Sequence, residues 1–361
     1  MIKHVLVISI FLFCNNLVLQ SFCQVNVAGA VVPAKNDSLP CGRDGKKVDC
    51  NEDLEFDPNS KRVFHVKYGD LYTGDCESCH ENGNKQYSAS FRDGYEDGVS
   101  WSYYEDGSKE SMRSHTNGVE NGDWMFWYNM KDTNQLAWHF QFLNGKRHGK
   151  CVWYYPNGNE KKVEEYKDGL LDGVVIKYWG DDGKKKSEIY FQAGKYHGSY
   201  KTFHKNGELS IETEYSYGLK HGIEKNYFDN KQISLEGEWV EGKRNGEWNL
   251  YFSNGVKRFH GNYELGVKQG EFKTYYEEDG RLKSEELYVD GVLMSQYKFD
   301  EFGNYVDDKG KMITKEEADE RNDVIAKAGQ EILDENKKWW KKIFKKKKKD
   351  EVEEDEWEFT N

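Results

Sequence analysis

Proline is scarce, with 4 residues in 361, while glycine contributes 35. This imbalance excludes a proline-rich stalk or linker and points to many tight turns. Apolar residues of every kind make up 37% of the chain, and aromatics alone reach 15%. Aliphatic core formers are therefore few, and Tyr, Trp and Phe must do most of the burying. Basic charge is in deficit as well. A formal net charge of −12 speaks against general nucleic-acid binding, which depends on clustered Lys and Arg. Beyond residue 24 no apolar run resembles a transmembrane helix.

The one long apolar run lies at the start. Lys3 and His4 are followed by Val5–Phe13, and Ser21-Phe22-Cys23 places small residues at −3 and −1 before Gln24. Residues 1–23 thus read as a signal peptide, which predicts an exported protein, periplasmic, envelope-associated or secreted. Removing it leaves Cys41, Cys50, Cys76, Cys79 and Cys151. In an oxidising compartment Cys41 and Cys50 have a spacing suited to a local disulfide, within an N-terminal segment of residues 24–69. An odd count leaves at least one thiol free.

What the chain has in abundance is a period. Glycine pairs of the form Gly-x3-Gly begin at Gly94, Gly118, Gly145, Gly169, Gly194, Gly218, Gly242 and Gly266, at intervals of 24 to 27 residues. Nine residues after each first glycine comes an aromatic: Tyr103, Trp127, Tyr154, Tyr178, Phe203, Tyr227, Tyr251 and Tyr275. The next residue is aromatic too, with His204 as the exception. An Asn-Gly or Asp-Gly turn commonly follows, such as Asp106-Gly107, Asn157-Gly158 and Asn254-Gly255. A further aromatic stands three residues before the next pair, as at Phe142, Tyr166, Trp239 and Tyr263.

Each unit reads as strand, Asx-Gly turn, strand and a second glycine turn. Asn-Gly and Asp-Gly tolerate the positive φ angles of two-residue hairpin loops. Side chains alternate across a strand, so one member of each aromatic doublet should line the core seam and the other should decorate the opposite surface. A lone hairpin is marginal in water, so the units must stack and share that seam. The expected fold is all-β: an elongated meander of about nine stacked hairpins over residues 70–303. A degenerate first unit begins near Tyr72-Thr73-Gly74, and a last one runs from Gly291 to Gly303.

Phe142-Leu143-Asn144-Gly145-Lys146-Arg147-His148-Gly149-Lys150 and Tyr263-Glu264-Leu265-Gly266-Val267-Lys268-Gln269-Gly270-Glu271 carry the pattern most fully. Together with the Tyr-Tyr-x2-Asn-Gly continuation, they resemble the MORN repeat in its bacterial variant form. The resemblance implies a twisted β-meander. Members of that group often carry an antitoxin designation, which fits poorly with export; others are scaffolds or lipid-associated proteins. The repeat itself fixes no function, because function lives in sites grafted on a fold.

Candidates for chemistry are few. Cys76-Glu77-Ser78-Cys79-His80 matches the Cys-x-x-Cys-His haem-attachment pattern. Counted back from Gly83, however, the stretch is the first strand of the degenerate unit, which would put Cys76 and Cys79 on opposite faces about 10 Å apart. That favours a structural role, with one of these cysteines paired to Cys41 or Cys50. Cys151 takes a position held elsewhere by Trp124, Val175, Trp248 or Phe272, and reads as a small buried residue. No phosphate-cradling loop, nucleophile elbow or metalloprotease motif occurs, so neither an enzyme nor a cofactor is expected.

Residues 304–361 depart from the repeat. Thr314-Lys315-Glu316-Glu317 is a capping box, and Val324, Ala328, Ile332, Trp340 and Ile343 follow at helical spacing. Nine lysines between Lys337 and Lys349 are interleaved with Trp339, Trp340, Ile343 and Phe344, and seven acidic residues follow between Asp350 and Glu358. One reading is an interfacial segment in which Trp339, Trp340, Lys341, Lys342 and Phe344 touch anionic lipid. The other is a helix capping the last hairpin, with a solvated, self-neutralising tail. For the whole chain the sequence favours a structural or binding rod for a protein, envelope component or lipid. A carbohydrate-binding module using exposed aromatics is the alternative.

Overall fold

The computed structural model describes residues 48–130, 133–180 and 182–357, with side chains as far as 343. The expected signal peptide and Cys41 lie outside the described residues. Among them, 25 strands form one sheet in which consecutive strands pair antiparallel, as in Gly98–Tyr103 with Lys109–Thr116 and Lys243–Tyr251 with Lys257–Glu264. Val48–Asp49 joins parallel to Gly74–Cys79, and a separate hairpin pairs Leu54–Asp57 with Arg62–His65. The expected all-β meander is what the chain forms.

The two kinds of turn exchange the roles expected of them. The loop before each first glycine is the two-residue one: Glu264 pairs with Val267 around Leu265-Gly266, and Gln192 with Lys195 around Ala193-Gly194. Both central residues have positive φ, for example 46° at Leu265 and 92° at Gly266, the signature of a type I′ turn. The Asx-Gly turns are one residue longer. Gly107 N–H bonds Tyr104 O and Tyr104 N–H bonds Ser108 O, which leaves only the glycine at positive φ. Here the Asx side chain earns its place otherwise, accepting from the backbone two residues on (Asp106 Oδ1 from Ser108 N–H, 2.9 Å; Asn254 Oδ1 from Val256 N–H, 3.0 Å).

Neighbouring units are clasped by side chains that the turn pattern does not announce. The second member of the aromatic doublet donates to the carbonyl of the next unit's first member: Tyr104 to Trp127 O at 2.8 Å, Tyr128 to Tyr154 O at 2.8 Å, and Tyr276 to Phe299 O at 2.8 Å. His204 Nε2 makes the same bond to Tyr227 O at 2.9 Å, which explains why a histidine is accepted there. Along the turn edge, Asn Nδ2 groups reach the next turn's carbonyl, as from Asn157 to Gly180 O and from Asn206 to Asp229 O, each 2.9 Å.

The seam itself differs from the expected one. Both members of each doublet are half-buried, Trp127 alone being fully buried. A bulge just before the doublet, as at Lys177/Tyr178 and Leu250/Tyr251, bends the strand there. The deepest position lies two residues after the second glycine, at Cys76, Cys151, Val175, Trp248 and Phe272. Strand glycines make room for the large ones. A Cβ at Gly237 would stand 2.3 Å from the Trp248 ring, and one at Gly261 would stand 2.5 Å from Phe272.

The helix Lys315–Trp357 opens on the expected capping box, with Thr314 N–H on Glu317 Oε2 (2.8 Å) and Glu317 N–H on Thr314 Oγ1 (3.2 Å). It docks on the last strand, Val292–Lys298. Asn322 Oδ1 accepts from Gln296 N–H, Asp319 from Tyr297 Oη–H, and Gly329 lies against Leu293 O and Met294. The stripe expected to be its apolar face points elsewhere. Val324 is 69% exposed and Ile332 48%, while the docked side presents Ala318, Asn322, Gly329 and Leu333. Small residues let the helix backbone approach the sheet, and the larger apolar side chains are left on the flank.

Candidate functional site

The Cys76–His80 stretch proves structural. Cys76 is bonded to Cys50, with Cα atoms 5.2 Å apart, and Cys79 is also disulfide-bonded. The Cys41–Cys50 pairing is thereby corrected: Cys50 lies beside Cys76 because its strand end pairs with Gly74–Cys79. With both sulfurs so engaged, neither remains to attach a haem. His80 Nε2 donates to Tyr103 O at 2.8 Å, the same clasp as His204. Beside the disulfide is a cleft of about 740 Å³ lined by Ser78, His80, Tyr87 and Ser102. Two of its polar groups are paired within the sheet: Tyr87 Oη–H donates to Glu96 at 2.8 Å, and the Ser102 and Ser111 hydroxyls are hydrogen-bonded at 2.6 Å. Burial, with Glu96 beside it, holds the Tyr87 phenol well above its ordinary pKa. Cys151 is a free, fully buried thiol whose pKa is raised by desolvation.

A second site arises where the repeat departs from its own pattern. One row of side chains crosses the sheet because each member is registered on the next: Phe126 on Trp138, Trp138 on Trp153, Trp153 on Lys162, and Lys162 on Lys177. Phe126 and Trp138 are stacked at 5.4 Å with their planes 8° apart. Lys162 Nζ lies 3.5 Å from the centroid of the Trp153 ring and 3.0 Å from Glu164. Around them a groove of about 370 Å³ is lined by Trp153, Tyr155, Lys161, Lys162, Lys177 and Lys186, with Tyr178. Lys161 and Lys186 rest over the rings of Tyr155 and Trp179 at 5.6 and 4.6 Å. Burial, then the neighbouring Glu160, pushes the Tyr178 phenol up to about 12.

Sequence reasoning missed this groove because its members come from four strands and look like ordinary repeat positions one at a time. The available signal was the doubled lysine in phase: Lys162 and Lys177 stand where other units place Leu235 opposite Leu250 or Ser187 opposite Thr202.

The MORN repeat variant model matches residues 147–168 and 196–217, and each match spans one hairpin from the second glycine's strand to the next type I′ turn. Two of the hairpins match the MORN repeat variant. Such repeats suggest a repeat-based binding or structural protein. No curated protein matches it. Among solved structures, likenesses are found to a TcdB2–TccC3 crystal structure (12% identity, TM-score 0.18) and to alternansucrase in complex with isomaltononaose (15% identity, TM-score 0.18). They cover 68% and 70% of this chain, which spans 15% and 16% of theirs. At such scores neither likeness bears on what this chain does.

The tail residues singled out from sequence stand clear of the sheet. Trp339 and Trp340 are 57% and 53% exposed with rings 5.0 Å apart, and Lys341 and Lys342 are exposed; the Phe344 side chain lies outside the described residues. Among the described residues no helix is long and apolar enough to cross a membrane.

Proposed function

We propose that the chain is an exported, non-catalytic rod that binds an envelope component through one face of its sheet. The observation that supports this most is the unequal treatment of the two faces. On one, opposite charges sit directly across from each other and neutralise locally: Lys201–Glu212, Lys225–Glu236 and Lys273–Glu285, each at 3.0 Å. On the other, the row Phe126, Trp138, Trp153, Lys162 and Lys177 leaves half-buried rings beside like charges. A photo-crosslinking residue at Trp153 should capture partners from membrane and medium fractions, and the same residue at Lys225 should not. Equal capture from both positions, or none from either, would overturn the face assignment.

A second reading, membrane contact by the tail, is favoured by the exposed Val324, Ile332, Trp339 and Trp340 above the lysine block. Each Lys at an anionic surface contributes up to about 1 kcal/mol. Deleting residues 350–361 should raise co-sedimentation with anionic vesicles by removing the acidic competitor, and deleting 337–361 should abolish it. Identical behaviour of all three chains would end this reading.

A further inference from the structure

We infer that the groove around Trp153, Lys162 and Lys177 binds an acidic polysaccharide, one that carries carboxylate or sulfate on its sugar rings. The inference rests on the reading of the chain as a binding rod and names the ligand of its open face.

The first argument is frustration. Like charges directly opposite in a sheet are destabilising, yet Lys162 and Lys177 are Cα partners across the boundary between two hairpins. Elsewhere in the same row that boundary carries Leu235 with Leu250, Phe259 with Thr274, or Ile211 with Asn226. Among the described residues Lys162 has a carboxylate partner in Glu164, while Lys161, Lys177 and Lys186 have none. Lys162 is thus compensated from within, and it is the unpaired Lys177, flanked by Lys161 and Lys186, that leaves a charge for a ligand to supply.

The second argument is geometry. Successive members of the row stand one strand spacing apart, about 4.8 Å, close to the length of one pyranose unit. A glycan lying across the strands would therefore meet one side chain per sugar. Its apolar edges would run along the half-buried rings of Phe126, Trp138 and Trp153, its acidic groups would lie on Lys162 and Lys177, and a hydroxyl would reach Thr202 beyond. The −12 net charge confines any polyanion to this local groove, and the one-sugar spacing of the row is what favours a glycan over a nucleic acid.

The test is titration of the full chain with soluble polygalacturonate, heparin, neutral dextran and a single-stranded oligonucleotide at physiological salt. Both acidic glycans should bind, and dextran and the oligonucleotide should not. Lys162→Leu/Lys177→Leu, which copies the Leu235–Leu250 pair, should weaken glycan binding by about tenfold or more. Lys162→Gln/Lys177→Gln repeats the measurement should the first variant fold poorly, and Lys225→Leu on the opposite face should leave affinity unchanged. A preference for carboxylated or for sulfated polymer identifies the acid. The inference falls if the double variants bind like the parent, if Lys225→Leu weakens binding equally, or if the oligonucleotide binds through the same two lysines. It falls also if no glycan binds, whereas capture by the crosslinker at Trp153 would still uphold the rod itself.

Discussion

Trp248 offers the sharpest test of the packing. Its side chain is 1% exposed, with rings edge-on to Trp239 at 5.1 Å and to Tyr263 at 6.4 Å. It covers Gly237, where a methyl group would stand 2.3 Å from the ring, more than 1 Å inside ordinary contact. Gly237→Ala should therefore cost about 1–3 kcal/mol, the range for overpacking a filled site. Trp248→Ala removes about 150–250 Å² of burial, about 4–6 kcal/mol at 25 cal/mol/Å², consistent with the 3–5 kcal/mol typical of such truncations. The double variant should cost less than the sum by roughly the overpacking energy, because the new methyl enters the vacated space. Equilibrium urea unfolding of the four proteins, with hydrogen exchange to localise the loss, measures the cycle. Additivity within about 0.5 kcal/mol, or a neutral Gly237→Ala, would refute this packing.

Leu265 holds a left-handed backbone at φ 46°; Leu265→Asn should stabilise by up to about 1 kcal/mol, read as a raised Tm, since Asn tolerates that region better. Tyr128→Phe deletes the clasp to Tyr154 O and should cost about 0.5–1.5 kcal/mol, with exchange protection lost at the boundary of those two units. Tyr178 keeps its proton to about pH 12, above the ordinary tyrosine value of 10.0. The folded state thus holds more protons than the unfolded state above pH 10, so stability should fall as pH rises from there. Tyr178→Phe should lessen that fall and remove a late step from the phenolate absorbance titration.

The sequence by itself determined the period, the strands, the turn positions and the helix start, because each rests on chemistry within a few residues. Glycine supplies positive φ, Asx caps a turn, and Thr314 with Glu317 closes a capping box. The MORN pattern is legible for the same reason. Tertiary structure decided what depends on residues brought together from different units. Which turn is type I′ follows from strand register, and the deep seam falls at Trp248 and Phe272 because Gly237 and Gly261 on the neighbouring strands clear space for their rings. That one of Cys76 and Cys79 pairs with Cys41 or Cys50 was legible from strand spacing, but the choice of Cys50 with Cys76 was made by a parallel strand pairing. The helix turns Ala318 and Gly329 inward, not its bulkier stripe, because close backbone contact with Leu293 leaves no room for larger side chains. The groove of Lys162 and Lys177 exists only because stacking sets one hairpin's second strand beside the next hairpin's first.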